Sequence, residues 1–147
     1  MITVQTVAEH VERLVEWLKR QVETAGAKGA VVGLSGGIDS AVTAALCRQA
    51  FGANCLGLIM PCHSHPQDEE DARLIAEHLQ LTTRTLRLDE VFDRLLQLLQ
   101  MPGETPPALA VANLKPRLRM LTLYYHANLY DYLVVGTGNR SELTVGY

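Results

Sequence analysis

A chain of 147 residues, 48% of them hydrophobic, is long enough for one core-bearing domain and too short for two ordinary ones. Its formal net charge of -3 makes no electrostatic case for nucleic acid or a membrane surface, and no apolar run approaches the roughly 20 residues of a membrane span. Cys47, Cys55 and Cys62 are an odd number without a CxxC spacing and no leader precedes them, which fits the cytosol.

Residues 6–24 place Val7, Val11, Leu14, Val15, Leu18 and Val22 at steps of three and four, the pattern of an amphipathic helix, which Gly26 ends. Trp17 is expected in the core. Residues 30–34 are a short apolar run between glycines and read as a strand buried on both faces. Residues 38–50 carry helix formers with Val42, Ala45 and Leu46 inward, before residues 51–54 break the pattern. Residues 55–60 form the second predicted strand and residues 61–66 a loop. Residues 67–79 follow as a helix with acids in its first turn, where the helix dipole favours them.

Residues 83–88 alternate as a third strand, and Asp89 is placed to cap a helix reaching about residue 100. The segment MPGETPP is the clearest irregular stretch. Residues 116–129 form a long helical pattern, and residues 132–135 a fourth strand ending at Gly136, Thr137 and Gly138. Such alternation predicts an α/β fold: a doubly wound parallel sheet with right-handed crossovers and helices on both faces, built as one domain over residues 1–147. Ligands then bind beyond the carboxyl ends of the strands, where both the Ser35 turn and the Thr137 turn lie.

The stretch VVGLSGGIDSAV takes the chain from a buried strand straight into a helix, a bend that Gly36 and Gly37 permit. Their lack of Cβ also lets a ligand come close. The amides of the turn and of the first helical residues suit phosphate oxygens, with Ser35 and Ser40 adding hydroxyl donors. Asp39 would repel a polyphosphate unless a divalent cation lay between, so it reads as a magnesium ligand. Neither GxGxxG nor the lysine of GxxxxGK[ST] is present.

SGGIDS resembles the signature loop of the ATP pyrophosphatases, which adenylate a carboxylate or carbonyl oxygen and release pyrophosphate. MPCHSHPQDEEDA, NLKPRLRM and VVGTGNRSELTVGY resemble, in chain order, three further motifs of the NAD synthetases of ammonia-dependent type. That resemblance implies an ATP cradle of Gly33, Leu34, Ser35, Gly36, Gly37, Ile38, Asp39 and Ser40, with Thr137 also contacting ATP. It implies Mg2+ held by Asp39 and Glu142, and deamido-NAD met by Arg119. Arg117 and Arg119 are two apart on a helix and point away from each other, so one of them faces the site. The reaction implied is amidation of deamido-NAD by ammonia through an adenylate, with no side chain acting as nucleophile.

Pro116 stands where the family more often has alanine, and is expected in the first turn of its helix. The family continues past Tyr147 through a Lys-Tyr-Gly-Asp loop, so this form is expected to be a C-terminally truncated domain, inactive or very weak alone. No glutaminase domain precedes the motif, so ammonia would be free or supplied by another protein. The family is typically homodimeric; Tyr124, Tyr125 and Tyr130 beside Leu121, Leu123 and Leu129 read as helix packing or a subunit interface rather than base-stacking groups. Cys62, His63 and His65 crowd one loop without a second donor pair and are read as bordering the nucleotide rather than holding zinc. The rival readings are another adenylating ATP pyrophosphatase, acting on xanthosine monophosphate or a tRNA base, and a non-catalytic nucleotide-binding or dimerisation module.

Overall fold

The computed structural model describes residues 4–138. Four parallel strands, β1 (Gly29–Leu34), β2 (Cys55–Ile59), β3 (Thr82–Thr85) and β4 (Tyr132–Val134), lie in the order β3-β2-β1-β4. The register is set by pairs such as Val32 with Gly57, Leu58 with Arg84 and Val31 with Val134. The helices are α1 (Val4–Thr24), α2 (Ile38–Phe51), α3 (Pro66–His78), α4 (Asp89–Leu99), α5 (Ala108–Ala112) and α6 (Leu114–Tyr130). The chain winds outward from β1 to β3, then crosses back to place β4 on the other side of β1. The order therefore reverses between β1 and β4, which opens a crevice beyond their carboxyl ends.

Side-chain alternation along β1 builds two cores. Ala30, Val32 and Leu34 join Leu18, Ala44, Cys47 and Ala72 on the face covered by α1, α2 and α3. Val31 joins Leu58, Met60, Phe92 and Leu118 on the face covered by α4 and α6. A strand buried on both faces needs apolar residues at every position, which is why residues 30–34 read as a continuous run.

The predicted order of elements holds, with differences at particular residues. Val42 is 51% exposed, because Ala44 and Cys47 take the inward face of α2 instead. Trp17 is 50% exposed; the core takes Val15, Leu18 and Val22, and the rest of the apolar stripe of α1 is wider than the surface it meets. The third strand stops at Thr85. Asp89 does not cap α4: Leu88 holds the N-cap position, and Asp89 Oδ1 accepts a hydrogen bond from the His63 backbone N–H at 2.7 Å. Pro116 lies in the first turn of α6, where the missing N–H disrupts no internal bond. The short α5 before it was not foreseen.

Candidate functional site

β1 ends at Leu34, and the turn into α2 is shaped by Gly36, whose φ is +86. A Cβ added at Gly36 would stand 2.6 Å from the Asp68 carbonyl oxygen. The glycine is thus required by backbone conformation and by the approach of α3, rather than by room for a ligand. Gly37, with φ -82 and ψ 159, is the N-cap of α2 and has no side-chain cap. The first amides of α2 have no carbonyl a turn behind them, so this helix end presents open donors to an anion.

The serines have a different task from the expected one. Ser40 is 3% exposed, and its Oγ accepts from the Ser35 N–H at 3.2 Å and from the Ser35 hydroxyl at 3.1 Å. It donates its one proton to the Gly37 carbonyl at 2.8 Å. Ser35 Oγ in turn accepts from the Gly37 N–H at 3.3 Å. Both hydroxyl protons are committed inside the loop, so the donors aimed outward are amides, and the serines hold the loop in shape.

A cleft of about 360 Å³ opens at the switch point, lined by Gly33, Leu34 and Ser35 from β1 and its turn, by Ser40 from the first turn of α2, and by Thr137 beyond β4. Its size lies within the range of about 300–1,000 Å³ usual for small-molecule sites. The Val135 N–H donates to the Val31 carbonyl at 2.9 Å, which carries the pairing of the two strands one residue past β4 and brings Thr137 to the cleft. Arg119 enters from α6, with Nε donating to the Met60 carbonyl at 3.1 Å and Nη2 to Ser64 Oγ at 3.3 Å. Arg117 is exposed and donates to the Asn113 carbonyl instead.

Ile38 and Asp39 are exposed in the first turn of α2, and neither is among the side chains lining the cleft. Glu142 lies outside the described residues. Among the described residues no three acidic, histidine or cysteine side chains converge to form a metal cage. A lone carboxylate beside open amides has the chemistry of a partial magnesium site, since magnesium keeps waters and takes phosphate oxygens rather than filling its shell with protein.

Two residues of the cleft wall, Asp68 and Glu69, were not anticipated as site residues. Glu69 accepts from Arg73 at 2.5 Å and Arg87 at 2.9 Å, so two guanidiniums offset its charge. The sequence signal was the acidic first turn of α3, which by itself implies only dipole compensation. The Cys62, His63 and His65 loop is divided among three duties. Cys62 is buried, His63 binds α4, and His65 Nδ1 caps α3 by accepting from the Gln67 N–H at 3.2 Å.

Comparison with known proteins adds an independent finding. The family described as NAD synthase matches residues 10–147. The NH3-dependent NAD+ synthetase of Carboxydothermus hydrogenoformans is 55% identical over 141 residues, covering 95% of this chain and 58% of that protein. The NH3-dependent NAD synthetase structure from Campylobacter jejuni aligns at a TM-score of 0.86 and 33% identity, covering 95% of this chain and 60% of that one. An NMN synthetase structure from Francisella tularensis aligns at 0.87 and 34%, covering 95% and 58% respectively. The chain spans less than two thirds of the length of each of these relatives.

Proposed function

The chain belongs to the NAD synthase family, and on that premise we propose that it carries the nucleotide-binding part of an enzyme that amidates deamido-NAD with ammonia. The observation that carries the reading is convergence: the β1 turn, the Thr137 strand end and Arg119 all line one cleft. The substrate carboxylate attacks the α-phosphorus of ATP, the bond to the β-phosphate breaks, and pyrophosphate leaves. Ammonia then adds to the acyl carbon, AMP departs, and the surplus protons pass to solvent. Within the Gly33 to Ser40 cradle, the open amides at the start of α2 hold the phosphates that become pyrophosphate, and Thr137 holds ATP from the end of the neighbouring strand. Arg119 offers its planar donor fork to the dinucleotide.

Mg2+ is the proposed cofactor, held by Asp39 and Glu142, and it supplies charge neutralisation on the phosphates. Alignment and electrostatics do the rest, without a covalent intermediate on the protein. A homodimer is proposed through the outward face of α6, where Met120, Leu121, Tyr124, Tyr125 and Leu129 are all more than half exposed. The cytoplasm is the proposed compartment, since free cysteines at 47, 55 and 62 fit a reducing environment.

The test is pyrophosphate release by the 147-residue chain, and by a chain extended to the length of its relatives, with ATP, magnesium, ammonia and deamido-NAD. Release that requires deamido-NAD in the extended chain is expected, with far less from the 147-residue form; magnesium-dependent ATP binding without release from either would favour the module. A second reading, amidation of the mononucleotide, is favoured by the likeness to the NMN synthetase structure. Replacing deamido-NAD by its mononucleotide counterpart in the same assay decides between them, and the dinucleotide is expected to be preferred.

A further inference from the structure

His63 has φ of +47, in the left-handed region that a residue with a Cβ rarely occupies and that persists only where its surroundings impose it. Three contacts impose it here. The backbone N–H donates to Asp89 Oδ1 at 2.7 Å, Nε2 lies 2.7 Å from Asp93 Oδ1, and the ring meets Phe92 edge-on with centroids 5.6 Å apart. Asp89 and Asp93 are four apart on α4, so both carboxylates face the same loop residue. The preceding residue but one, Pro61, accepts from the Leu88 N–H at 2.8 Å. The segment from residue 60 to 64 is thereby stitched to the start of α4.

Ser64 follows His63 directly. Its Oγ accepts from the Cys62 N–H at 3.2 Å and from Arg119 Nη2 at 3.3 Å, while Arg119 Nε donates to the Met60 carbonyl at 3.1 Å. A guanidinium has five N–H donors in a fixed plane. Two are used on this segment, and three are left over on a residue that lines the cleft. Both acceptors that orient the plane belong to residues 60–64, so the direction of those three donors depends on where the segment is held.

We infer that His63, clamped by Asp89 and Asp93, is a positioning residue that fixes the aim of the Arg119 guanidinium at an anionic group of the substrate. The geometry stands by itself, and its consequence for substrate rests on the proposed reading of Arg119. Without the clamp, Arg119 would regain rotamer freedom that binding must then remove. A left-handed histidine is the strained backbone that accompanies this arrangement.

The experiment uses the isotope-labelled 147-residue chain with His63→Asn, Asp93→Ala and the double variant. Asparagine tolerates positive φ and keeps the backbone N–H for Asp89, but its shorter side chain does not reach Asp93. The readouts are hydrogen exchange at Arg119 Nε–H and affinity for deamido-NAD, with ATP affinity as the contrast. Exchange is expected to quicken and deamido-NAD affinity to fall by about two- to five-fold, the range of one partly exposed hydrogen bond. The two single variants should match, and the double should add nothing, because they break one unit. ATP affinity should stay as in the parent.

Parental exchange and affinity in a folded His63→Asn chain would overturn the inference. Should His63→Asn fail to fold, Asp93→Ala, on an exposed part of α4, supplies the same readouts. If the parent chain does not bind deamido-NAD yet exchange quickens as expected, the positioning role stands and the functional reading fails. The two failures are therefore separable.

Discussion

The hydroxyl of Ser40 donates to the Gly37 carbonyl across 2.8 Å while accepting both the amide and the hydroxyl of Ser35. One buried oxygen thus ties together both ends of the turn after β1. Ser40→Ala removes all three bonds, but the Gly37 carbonyl keeps the Ala41 N–H at 3.1 Å and Ser35 is exposed to water, so the loss is about 0.5–1.5 kcal/mol, the net worth of a hydrogen bond. A fall in urea-unfolding free energy of that size is expected, together with weaker ATP binding by calorimetry. Parental stability would show that the hydroxyl does not hold the turn.

Gly36→Ala should destabilise by about 1–3 kcal/mol, the range for a strained backbone conformation, because a Cβ there meets the Asp68 carbonyl at 2.6 Å. The first turn of α3 must move away, and Asp68 with it. Altered chemical shifts at Asp68 and Glu69, alongside the lost stability, would register the displacement. An alanine accommodated without either change would contradict the packing described.

Asp39→Ala separates binding from folding. The side chain is exposed at the start of α2, so stability should change by no more than about 0.3–1 kcal/mol, the worth of an acid in a first turn. Magnesium-dependent ATP affinity should drop about tenfold or more, at least ~1.4 kcal/mol. ATP affinity measured without magnesium should not fall, since a repulsive carboxylate is gone. Titrations with and without the metal check both halves.

The His63 backbone N–H holds the Asp89 carboxyl below the usual carboxylate range, with burial opposing and further hydrogen bonding and nearby positive charge assisting. A carboxylate whose pKa is depressed on folding stabilises the fold above its unfolded pKa of about 3.9, and that contribution is lost as pH falls through the folded value. The stability difference between the parent and Asp89→Asn should therefore be constant at neutral pH and shrink below about pH 4. Urea midpoints from pH 7 down to 2.5 test the sign. A gap that widened in acid would refute it.

Cys47 is pushed far above the usual thiol range by its hydrogen bond with Cys55 and by burial, and Cys62 is raised by burial against the opposing charge of Arg119 and Lys115. Both thiols should resist alkylation at pH 8 in the folded chain and react quickly in denaturant. Mass spectrometry after a short iodoacetamide pulse reads this. Rapid labelling of Cys62 without denaturant would mean that the 60–64 segment opens.

The exposed α6 face gives a concentration-dependent expectation. Leu121→Lys, on a residue 67% exposed, should leave the thermal midpoint of a monomer nearly unchanged, as surface substitutions usually do. It should weaken self-association in sedimentation runs. Undiminished association would exclude this helix face as the interface.

Most of the architecture was legible because it depends on local signals. The continuous apolar run of residues 30–34, the helical periods and the glycine punctuation all act within one turn or one strand. Strand ends then locate the crevice, so Ser35 and Thr137 could be brought together from pattern alone. What was illegible depends on partners distant in sequence. Trp17 and Val42 carry the right period, but only the assembled neighbours decide how much of an apolar stripe is covered. Asp89 has the chemistry of a cap, yet a loop 26 residues earlier competes for its oxygen. Asp68 and Glu69 reach the cleft because α3 leans on Gly36, a contact that no local pattern encodes.

The adjacency of β1 and β4 has a geometric consequence. The two turns that face the cleft follow neighbouring strands, so the spacing of the strands beneath them is set by one ladder of main-chain hydrogen bonds, about 4.8 Å wide. Side-chain replacement in either turn can alter what the mouth attracts while that spacing stays under the control of the peptide backbone.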